Sequence, residues 1–312
     1  MGTEISIAFA TDDNYAQHTA VAMASIMNNT NKNNTVTFYI LQEDLSTMHK
    51  NMLTDTAIMN NCNIEFLQIM DPSMDELFVS AQLSKAAYYR LEMVKLLPDI
   101  VKKIIYLDCD LLVFKDIETL WSIDMENKPL AAVADLGIMA SSKDAKKKEQ
   151  SLGIKVGEPY FNSGMLIVDV EKWREANYAD LVKEAAISHD YQHHDQDALN
   201  GVFYGNWKAV PMCWNVIPPV WNLFLKILVR SGYRKIAIEA RRDIAILHYA
   251  GGYKPWEYKL YPEFNNKYYE YLEKTAYKDE KMPKFDHRKK NRSIARQLWR
   301  LKIADFWTKI FS

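Results

Sequence analysis

Two aspartates separated by one residue, Asp108 and Asp110, follow a short apolar stretch at 103–107. In an extended chain, residues i and i+2 point to the same side, so both carboxylates can bind one cation. Two unpaired carboxylates this close repel each other, and a shared metal ion or proton removes that repulsion. The pattern favours a hard divalent cation that keeps open positions for phosphate oxygens. The alternative is a pair of solvated aspartates at a strand end.

A histidine ends another short predicted strand, and His248 is followed by Gly251, Gly252 and Lys254. Glycine amides can approach a phosphate closely, and a lysine can neutralise its charge. The group therefore indicates a diphosphate site, with His248 as the nitrogen ligand that completes the metal site of the two aspartates. The alternative is a core histidine whose polar atoms are satisfied by the protein.

The first predicted strand, at 5–10, also ends in polar residues. Asp12 at the mouth of a sheet can accept a hydrogen bond from the N–H of a base, and Asn14 can bind a ribose hydroxyl. Alternatively, Asp13 or Asn14 is the N-cap of the helix that follows.

Two further polar groups lie in the second half of the chain. Asn162, Ser163 and Gly164 open a predicted strand, where small side chains and a glycine let a ligand approach closely. The run His-His-Asp-Gln-Asp at 193–197 opens a predicted helix. Its alternative interpretation is an acidic first turn favoured by the helix dipole. By themselves these residues indicate no particular reaction.

Strand-like apolar runs alternate with amphipathic helical segments from the N-terminus to Ala134. Strands are predicted at 5–10, 36–41, 64–69, 103–107 and 130–134, with helices at 15–27, 45–59 and 86–97. This alternation predicts an α/β fold with a mostly parallel central sheet flanked by helices on both faces. Such sheets bind ligands at the carboxyl ends of their strands, where the polar groups lie.

The pattern is less regular beyond Ala134. A strand is predicted at 160–170 and a helix at 172–188. The stretches 137–159 and 212–233 show no usable periodicity and are predicted to be long loops. Long loops beside a site often close over the substrate, so we expect lids there.

Six motifs together resemble the family 8 glycosyltransferases, the group that includes bacterial lipooligosaccharide galactosyltransferases and glycogenin. They occur in the family's order, at 10–15, 89–91, 106–110, 161–164, 195–200 and 248–256. The resemblance implies the GT-A fold, a nucleotide-diphospho-sugar transferase fold. It also implies transfer of a hexose, galactose or glucose, from a UDP-sugar to an acceptor hydroxyl, with retention of anomeric configuration.

The resemblance also implies roles for individual residues. It implies a metal, Mn²⁺ or alternatively Mg²⁺, on Asp108, Asp110 and His248. It implies nucleotide binding by Ala10, Asp12, Asn14, Gly251 and Lys254. It implies that the donor sugar is surrounded by Arg90, Asp135, Asn162, Ser163, Asp195 and Gln196, of which the last two are the catalytic candidates. Cys109, between the two aspartates, should point to the opposite strand face and pack without binding metal.

Retention of configuration can proceed in two ways. Asp195 or Gln196 can act as a nucleophile beneath the anomeric carbon, or the acceptor can attack on the same face with the leaving phosphate as base. An amide is a poor nucleophile, and the sequence leaves both routes open. In either route, the metal and Lys254 are expected to stabilise the charge that develops on the departing diphosphate.

Two regions are predicted, a catalytic domain at 1–260 and a helical extension at 261–312. The net charge of −1 gives no sign of nucleic-acid binding, but residues 284–312 hold nine basic side chains against two acidic ones. A stripe at helical spacing runs through Trp299, Ile303, Phe306 and Ile310. The extension is therefore predicted to bind an anionic membrane surface, near a glycan or lipid-linked acceptor. The alternative is a helix docked on the catalytic domain, or a subunit contact.

Cys62, Cys109 and Cys213 are odd in number and irregularly spaced, which fits a reducing compartment better than a disulfide framework. We find no signal peptide and no apolar run long enough to span a bilayer. The sequence therefore predicts a cytoplasmic protein that is peripheral at the inner face of the membrane.

Three other functions fit part of the pattern. A phosphatase of the haloacid dehalogenase type also places Asp-x-Asp after a strand, but after its first strand. A sugar-nucleotide-binding protein without activity would keep the same ligand residues. Self-glucosylation, as in glycogenin, is compatible with the 18 tyrosines of the chain.

Overall fold

The computed structural model describes residues 2–72, 85–252, 254–257, 262–279 and 291–310, without the side chains at 85–87, 262–263 and 291–298. The first strands are β1 (Glu4–Ala10), β2 (Thr35–Gln42), β3 (Asn63–Gln68), β4 (Lys103–Leu107) and β5 (Leu111–Val113). The helices among them are α1 (Ala16–Asn29), α2 (Thr47–Met59), a 3-10 helix (Lys85–Leu91) and α3 (Met93–Leu96).

The second half is richer in helices. Its strands are β6 (Leu130–Ala134), β7 (Phe161–Asp169), β8 (Lys208–Ala209) and β9 (Ile246–His248). Its helices before residue 203 are α4 (Ile117–Trp121), α5 (Leu136–Met139), α6 (Ser142–Leu152), α7 (Val170–Glu175), α8 (Tyr178–Ser188) and α9 (His194–Val202). They are followed by a 3-10 helix (Met212–Trp214), α10 (Pro218–Trp221), α11 (Leu225–Leu228), α12 (Ser231–Arg242), α13 (Pro262–Leu272) and α14 (Asn291–Ile310).

The central sheet has seven strands in the order β3-β2-β1-β4-β7-β6-β8. All neighbours pair in parallel except those of β7, which runs antiparallel to both β4 and β6. The mostly parallel sheet predicted from the sequence is confirmed. Each face of the sheet covers its own apolar core, and Ile7 and Phe9 of β1 belong to one core while Ala8 and Ala10 belong to the other.

The reversed direction of β7 brings its first residues to the edge where the parallel strands end. Leu107 of β4 pairs with Met165, and Ala134 of β6 pairs with Phe161. The backbone N–H of Asp108 then donates to the carbonyl of Gly164 at 2.9 Å. One sheet edge therefore carries the residues that follow β4 and β6 together with those that begin β7.

A second, two-stranded sheet joins β5 to β9 in antiparallel fashion, with Leu111 opposite His248. The backbone N–H of Tyr249 donates to the carbonyl of Asp110 at 2.8 Å. This pairing joins parts of the chain that are far apart in the sequence. It places the histidine directly beside the two aspartates.

The prediction of a loop at 137–159 is wrong over most of that stretch, because the end of α5 and all of α6 lie within it. The Ser141 hydroxyl accepts a hydrogen bond from the Asp144 N–H at the start of α6, and Gly153 ends it with φ 70°. Only Ala145 and Lys148 of this lysine-rich helix are buried. Without an apolar stripe, the helix has no hydrophobic period to detect.

Three other boundaries also differ from those predicted. The stretch 212–233 holds a 3-10 helix, α10, α11 and the start of α12, whose first pieces are too short to show a period. The predicted helix at 86–97 is a 3-10 helix followed by the single turn of α3. The predicted helix at 172–188 is divided at Asn177, which has φ 51°.

The C-terminal region contributes to the same core as the sheet. Tyr268, Tyr271 and Tyr277 are buried in the core that contains α1, and Ala304 of α14 is fully buried in it as well. A domain boundary after residue 260 stays a prediction. Within the described residues, no helix is both long enough and apolar enough to cross a membrane.

Candidate active site

The three expected metal ligands converge where β4 and β9 end. His248 Nε2 lies 3.1 Å from Asp110 Oδ1 and 3.7 Å from Asp108 Oδ2. One ligand atom of each residue lies within 4.8 Å of the others, which is the single group of this kind in the part of the chain that the structure describes. Two carboxylates and one imidazole are a donor set that suits Mn²⁺, and also Mg²⁺, so the residues present fit the expected cation.

Asp110 is buried and paired. Its Oδ2 accepts a hydrogen bond from Lys254 Nζ, which also donates to the Tyr249 carbonyl at 3.0 Å. Burial opposes ionisation of Asp110, but Lys254 and His248 outweigh it and hold its pKa below the ordinary range. The carboxylate is therefore ionised at neutral pH, as a metal ligand must be.

Cys109 lies on the other side of the strand end, as the sequence predicted. Its Sγ donates to the Ala10 carbonyl at 3.0 Å and accepts from Thr19 Oγ1 at 3.0 Å. Burial raises the pKa of the thiol to about 12. It stays protonated and packs against α1, so it offers no thiolate to a metal.

Arg90 links the aspartate pair to the polar group at the start of α9. Its Nη2 lies 2.9 Å from Asp108 Oδ1, and its Nε lies 3.2 Å from Asp195 Oδ2. Its Nη1 donates to the Ser163 carbonyl at 2.6 Å, and the guanidinium covers the Tyr106 ring at 4.5 Å. Burial alone would lower the pKa of Arg90, but the neighbouring carboxylates raise it, so the cation is permanent.

Asp195 and Gln196 are both buried, and they differ in the bonds they make. Asp195 Oδ2 lies 3.5 Å from the Ser163 hydroxyl, and burial raises the pKa of its carboxyl. Gln196 Oε1 accepts from Asn162 Nδ2 at 2.9 Å and from the Ser163 N–H at 3.1 Å. Gln196 Nε2 lies 3.4 Å from Asp135 Oδ2, so the expected sugar-site residues are in mutual contact.

Behind Gln196 lies a buried ion pair that the sequence did not suggest. Lys148 Nζ of α6 lies 2.7 Å from Asp197 Oδ2, and both side chains are almost completely buried. The Tyr160 hydroxyl donates to Asp197 Oδ1 at 2.6 Å and accepts from Gln196 Nε2 at 3.1 Å. The ion pair therefore anchors α6 beneath the polar site.

The residues expected to bind the nucleotide lie at the ends of β1 and β9. Asp12 Oδ1 accepts from the Tyr15 N–H at 3.0 Å, and Asn14 is exposed. Neither Asp13 nor Asn14 caps α1, whose N-cap position is Tyr15 without a side-chain bond. Gly251 is exposed with φ 86°, a left-handed conformation that glycine adopts without strain.

Gly164 at the start of β7 leaves room for the metal ligands. A Cβ added there would lie 2.3 Å from His248 Cε1 and 2.6 Å from Asp108 Oδ2. Both distances are far below van der Waals contact, so any side chain would displace a ligand. The sequence predicts close approach of a bound ligand at this glycine, but the groups that approach it are the protein's own side chains.

Gly164→Ala should weaken Mn²⁺ binding by about 10- to 100-fold, as displaced metal ligands and their supports do. Mn²⁺ affinity is measured by calorimetry, with circular dichroism to check folding. Gly201→Ala is the matched control, because its Cβ would meet Leu152 Cδ2 at an ordinary 3.5 Å. Unchanged Mn²⁺ affinity in Gly164→Ala would show that the protein accommodates the added methyl group without moving His248 or Asp108.

His18 on α1 is a buried neutral imidazole beside this site. Its ring stacks on Trp256 at 3.5 Å, and its Nδ1 lies 2.6 Å from the Tyr268 hydroxyl. Burial lowers the pKa of His18 to about 3. Between that pKa and the ordinary histidine value of 6.5, the unfolded chain binds a proton that the folded protein does not.

The free energy of unfolding should therefore fall as the pH drops, by about 2 kcal/mol from about pH 6.5 to about pH 5 through His18 alone. Urea unfolding measured at several pH values tests this. In His18→Gln the stability should depend less steeply on pH, while His189→Gln, at an exposed position, should behave like the wild type. If the free energy of unfolding depended equally on pH in all three proteins, His18 would not be the cause of the pH dependence.

One buried residue at the centre of the site, Asn215, was not predicted at all. It lies 2.8 Å from His248 Nδ1 and 2.8 Å from Asn162 Oδ1. It follows the 3-10 helix at Met212–Trp214, in a stretch without periodicity, and no local sequence signal distinguishes it from other asparagines.

Comparison with known proteins identifies a family and a fold. Residues 6–259 match the family model described as glycosyl transferase family 8. General stress protein A of Bacillus subtilis (strain 168) is 32% identical over 273 residues, which cover 85% of this chain and 92% of that protein. The lipopolysaccharide 1,2-glucosyltransferase of Escherichia coli (strain K12) is 28% identical over 280 residues, covering 88% and 80%. The crystal structure of the galactosyltransferase LgtC with sugar-donor and acceptor analogs matches with a TM-score of 0.75 at 25% identity, covering 90% of this chain and 98% of that one.

Proposed function

The chain belongs to glycosyl transferase family 8, and from that membership we propose that it transfers a hexose, galactose or glucose, from a UDP-sugar to the hydroxyl of a glycan or lipid-linked acceptor, with retention of configuration. The family and the GT-A fold are those predicted from the sequence. The observation that carries the proposal is the bridge from Arg90 to Asp108 on one side and to Asp195 on the other. Groups suited to a diphosphate and groups suited to a sugar thus lie side by side.

The diphosphate end of the sugar donor is assigned to the ligand set and to Lys254. Asp108, Asp110 and His248 would hold Mn²⁺ or Mg²⁺, which when bound neutralises diphosphate charge. Lys254 lies against Asp110, so it can contribute its own charge to the same oxygens. Gly251, exposed on the loop after β9, would allow close approach of the diphosphate.

The uridine is assigned to the end of β1, where Ala10, Asp12 and Asn14 follow one another on the way to α1. One carboxylate oxygen of Asp12 accepts a hydrogen bond from the Tyr15 N–H. Its second oxygen can accept from the base, and the exposed Asn14 can bind a ribose hydroxyl.

The sugar is assigned to the cluster of Arg90, Asp135, Asn162, Ser163, Asp195 and Gln196. Buried carboxylates and amides of this kind bind hydroxyls through directional hydrogen bonds, and an analogue that lacks the hydroxyl leaves them unpaired. Because Asp135 and Asp195 flank Gln196, each can accept from a different sugar hydroxyl.

The two catalytic candidates are suited to different roles. The Gln196 amide already accepts two hydrogen bonds at Oε1 and donates through Nε2, so it is held as an orienting group. Asp195 is the stronger nucleophile by chemistry, but its carboxylate is paired with Arg90 at 3.2 Å. This pairing favours same-face attack by the acceptor, with the leaving phosphate as base, over a covalent intermediate on Asp195.

A panel of labelled sugar nucleotides, incubated with the full-length protein and Mn²⁺, tests the proposal. Release of UDP with labelled acceptor, and preference for UDP-galactose or UDP-glucose, is the expected result. A labelled protein band would support the self-glucosylating alternative, and binding without turnover would support a non-catalytic sugar-nucleotide-binding protein. A clear preference for a non-UDP donor would overturn the nucleotide assignment.

We also propose that α14 lies at the cytoplasmic face of a membrane, since its two sides differ. At about 100° per residue, Leu301, Ala304 and Thr308 share one side. That side docks on the domain: Ala304 is fully buried, and Arg241 Nη1 donates to Thr308 Oγ1 at 3.0 Å. Docking on the catalytic domain and binding to a membrane are therefore compatible, because the docked helix still has a second side that faces away from the domain.

The second side carries large apolar residues in solvent. Trp299, Phe306 and Ile310 are 63%, 60% and 54% exposed. Anionic lipid is the occupant that fits, because residues 284–312 hold nine basic side chains against two acidic ones. The cluster at 288–292 lies outside the described side chains. Unpaired Cys62, Cys109 and Cys213 fit the reducing side of the membrane.

Sedimentation with vesicles that contain anionic lipid tests this in the full chain. The double variant Trp299→Ser, Phe306→Ser should bind at least about 10-fold more weakly, since each lost ring removes a kcal/mol or more of apolar burial. Ile58→Ser, Ile100→Ser is the matched control, with residues that are 71% and 84% exposed elsewhere. Equal binding by both double variants, or no binding by the wild type at low salt, would contradict the proposal.

A further inference from the structure

A continuous line of side-chain hydrogen bonds joins His248 to Gln196. His248 Nδ1 meets Asn215 Oδ1 at 2.8 Å, and Asn215 Nδ2 donates to Asn162 Oδ1 at 2.8 Å. Asn162 Nδ2 donates in turn to Gln196 Oε1 at 2.9 Å. The line thus connects an expected metal ligand to a residue expected at the donor sugar, and Asn215 is its central member.

Backbone groups fix the direction of this line, because a backbone N–H can only donate. The Gly164 N–H donates to Asn162 Oδ1 at 3.0 Å, and the Ser163 N–H donates to Gln196 Oε1 at 3.1 Å. Exchanging the oxygen and nitrogen of either amide would place an NH₂ group against a backbone N–H. The oxygen of each amide is therefore identified by its partners.

The orientation of Asn215 and the tautomer of His248 then follow. Because Asn162 presents its oxygen, the Asn215 atom that faces it must be the donor Nδ2. Asn215 consequently presents Oδ1 to His248, and His248 must carry a proton on Nδ1. In the neutral ring this leaves the Nε2 lone pair directed at Asp108 and Asp110.

The other end of the line agrees with this direction. Asp197 forms an ion pair with Lys148 at 2.7 Å, and its other carboxylate oxygen accepts from the Tyr160 hydroxyl. Tyr160 in turn accepts from Gln196 Nε2 at 3.1 Å, so Gln196 must present its amide nitrogen to Tyr160 and its oxygen to Asn162. Donors along the whole line point from His248 towards the buried ion pair.

We propose that Asn215 is the positioning residue that holds His248 in its metal-binding tautomer and joins the metal site to Gln196. This inference rests on the proposed function, in which His248 is a metal ligand. Without the Asn215 oxygen, the imidazole proton has a competing place on Nε2, where Asp110 Oδ1 accepts it at 3.1 Å. A metal would then have to displace that proton before it could bind, so its affinity falls.

Two measurements on Asn215→Ala test the proposal apart from activity. Mn²⁺ affinity in the absence of nucleotide, from the electron paramagnetic resonance signal of free Mn²⁺, should fall by about 10- to 100-fold. In the metal-free protein, ¹⁵N NMR both detects a singly protonated His248 ring and locates its proton, which should lie on Nδ1 in the wild type and on Nε2 in a substantial fraction of the variant. A purely structural Asn215 would change neither.

Asn215→Asp keeps the volume of the side chain and separates the two contacts. A carboxylate still accepts from His248 Nδ1, so Mn²⁺ should bind with at least wild-type affinity and the tautomer should be kept. It has no proton for Asn162, so kcat should fall with little change in metal binding. Loss of Mn²⁺ affinity in this variant would contradict the proposal.

Asn29→Ala is the control for loss of a hydrogen-bonded asparagine, because Asn29 Nδ2 lies 2.9 Å from the Val113 carbonyl and 2.9 Å from the Tyr271 hydroxyl, away from the metal ligands. Its Mn²⁺ affinity should equal that of the wild type. If the wild type binds no Mn²⁺, the metal part of the proposed function fails. If the wild type and Asn215→Ala bind Mn²⁺ equally and share the tautomer, only the role of Asn215 fails.

Discussion

Asp110→Asn is expected to reduce sugar transfer by at least about 100-fold, because in the proposed function it removes an ionised metal ligand, and the bound cation would stabilise charge by several kcal/mol. Asp110 is held by contacts with both of its charged neighbours. It is buried, it contacts His248 Nε2 at 3.1 Å, and it pairs with Lys254. An asparagine can replace its shape but not its charge, so both the cation and Lys254 would lose their partner.

Steady-state rates and Mn²⁺ titrations of purified protein measure this effect. Asp99→Asn, at a fully exposed position, is the matched control and should be indistinguishable from the wild type. Treatment of the wild type with EDTA should abolish transfer, and added Mn²⁺ or Mg²⁺ should restore it. A full rate after EDTA treatment would mean that Asp108, Asp110 and His248 serve another purpose.

Replacement of Arg90 by methionine should destabilise the protein by about 3–5 kcal/mol and abolish transfer, because it leaves the buried Asp195 and the half-buried Asp108 without their cation. Arg90 is 5% exposed, and Asp195 beside it is 3% exposed. No other residue bridges Asp108 and Asp195 among those for which the structure gives side chains. The effect on stability and the effect on activity therefore have the same physical cause.

Urea unfolding gives the loss of stability, and donor hydrolysis gives the loss of activity. Arg174→Met is the matched control, since Arg174 pairs with the fully exposed Asp99 at 3.4 Å and donates to the Val94 and Leu97 carbonyls, so its loss leaves no buried carboxylate without a cation. Arg90→Lys should recover part of the stability but little of the rate, because an ammonium cannot reach three partners in one plane. Equal unfolding midpoints for Arg90→Met and Arg174→Met would refute the argument.

The order of strands and helices as far as Ala134 was predictable because each element carries its own period. Ile5, Ile7 and Phe9 alternate in β1, and the amphipathic segments between the strands repeat at helical spacing. The hydrophobic period is weakest in the elements that bury the fewest side chains. Helix α6 buries only Ala145 and Lys148, so its pattern resembles that of a solvated lysine-rich stretch.

The sequence by itself predicted the chemistry that is proposed for this protein. An Asp-x-Asp pair after an apolar strand favours a shared cation, and a His followed by Gly-Gly and Lys suits a diphosphate, wherever these segments lie in space. Tertiary structure decided which groups meet. Pairing of β5 with β9 brings His248 to Asp110, and the reversed β7 places Gly164 against His248 and Asp108. The contact of Asn215 with both His248 and Asn162 depends on three segments that are 33 and 53 residues apart. Such contacts leave no local period or motif in the chain, because the free energy that selects them comes from packing and hydrogen bonding between distant segments.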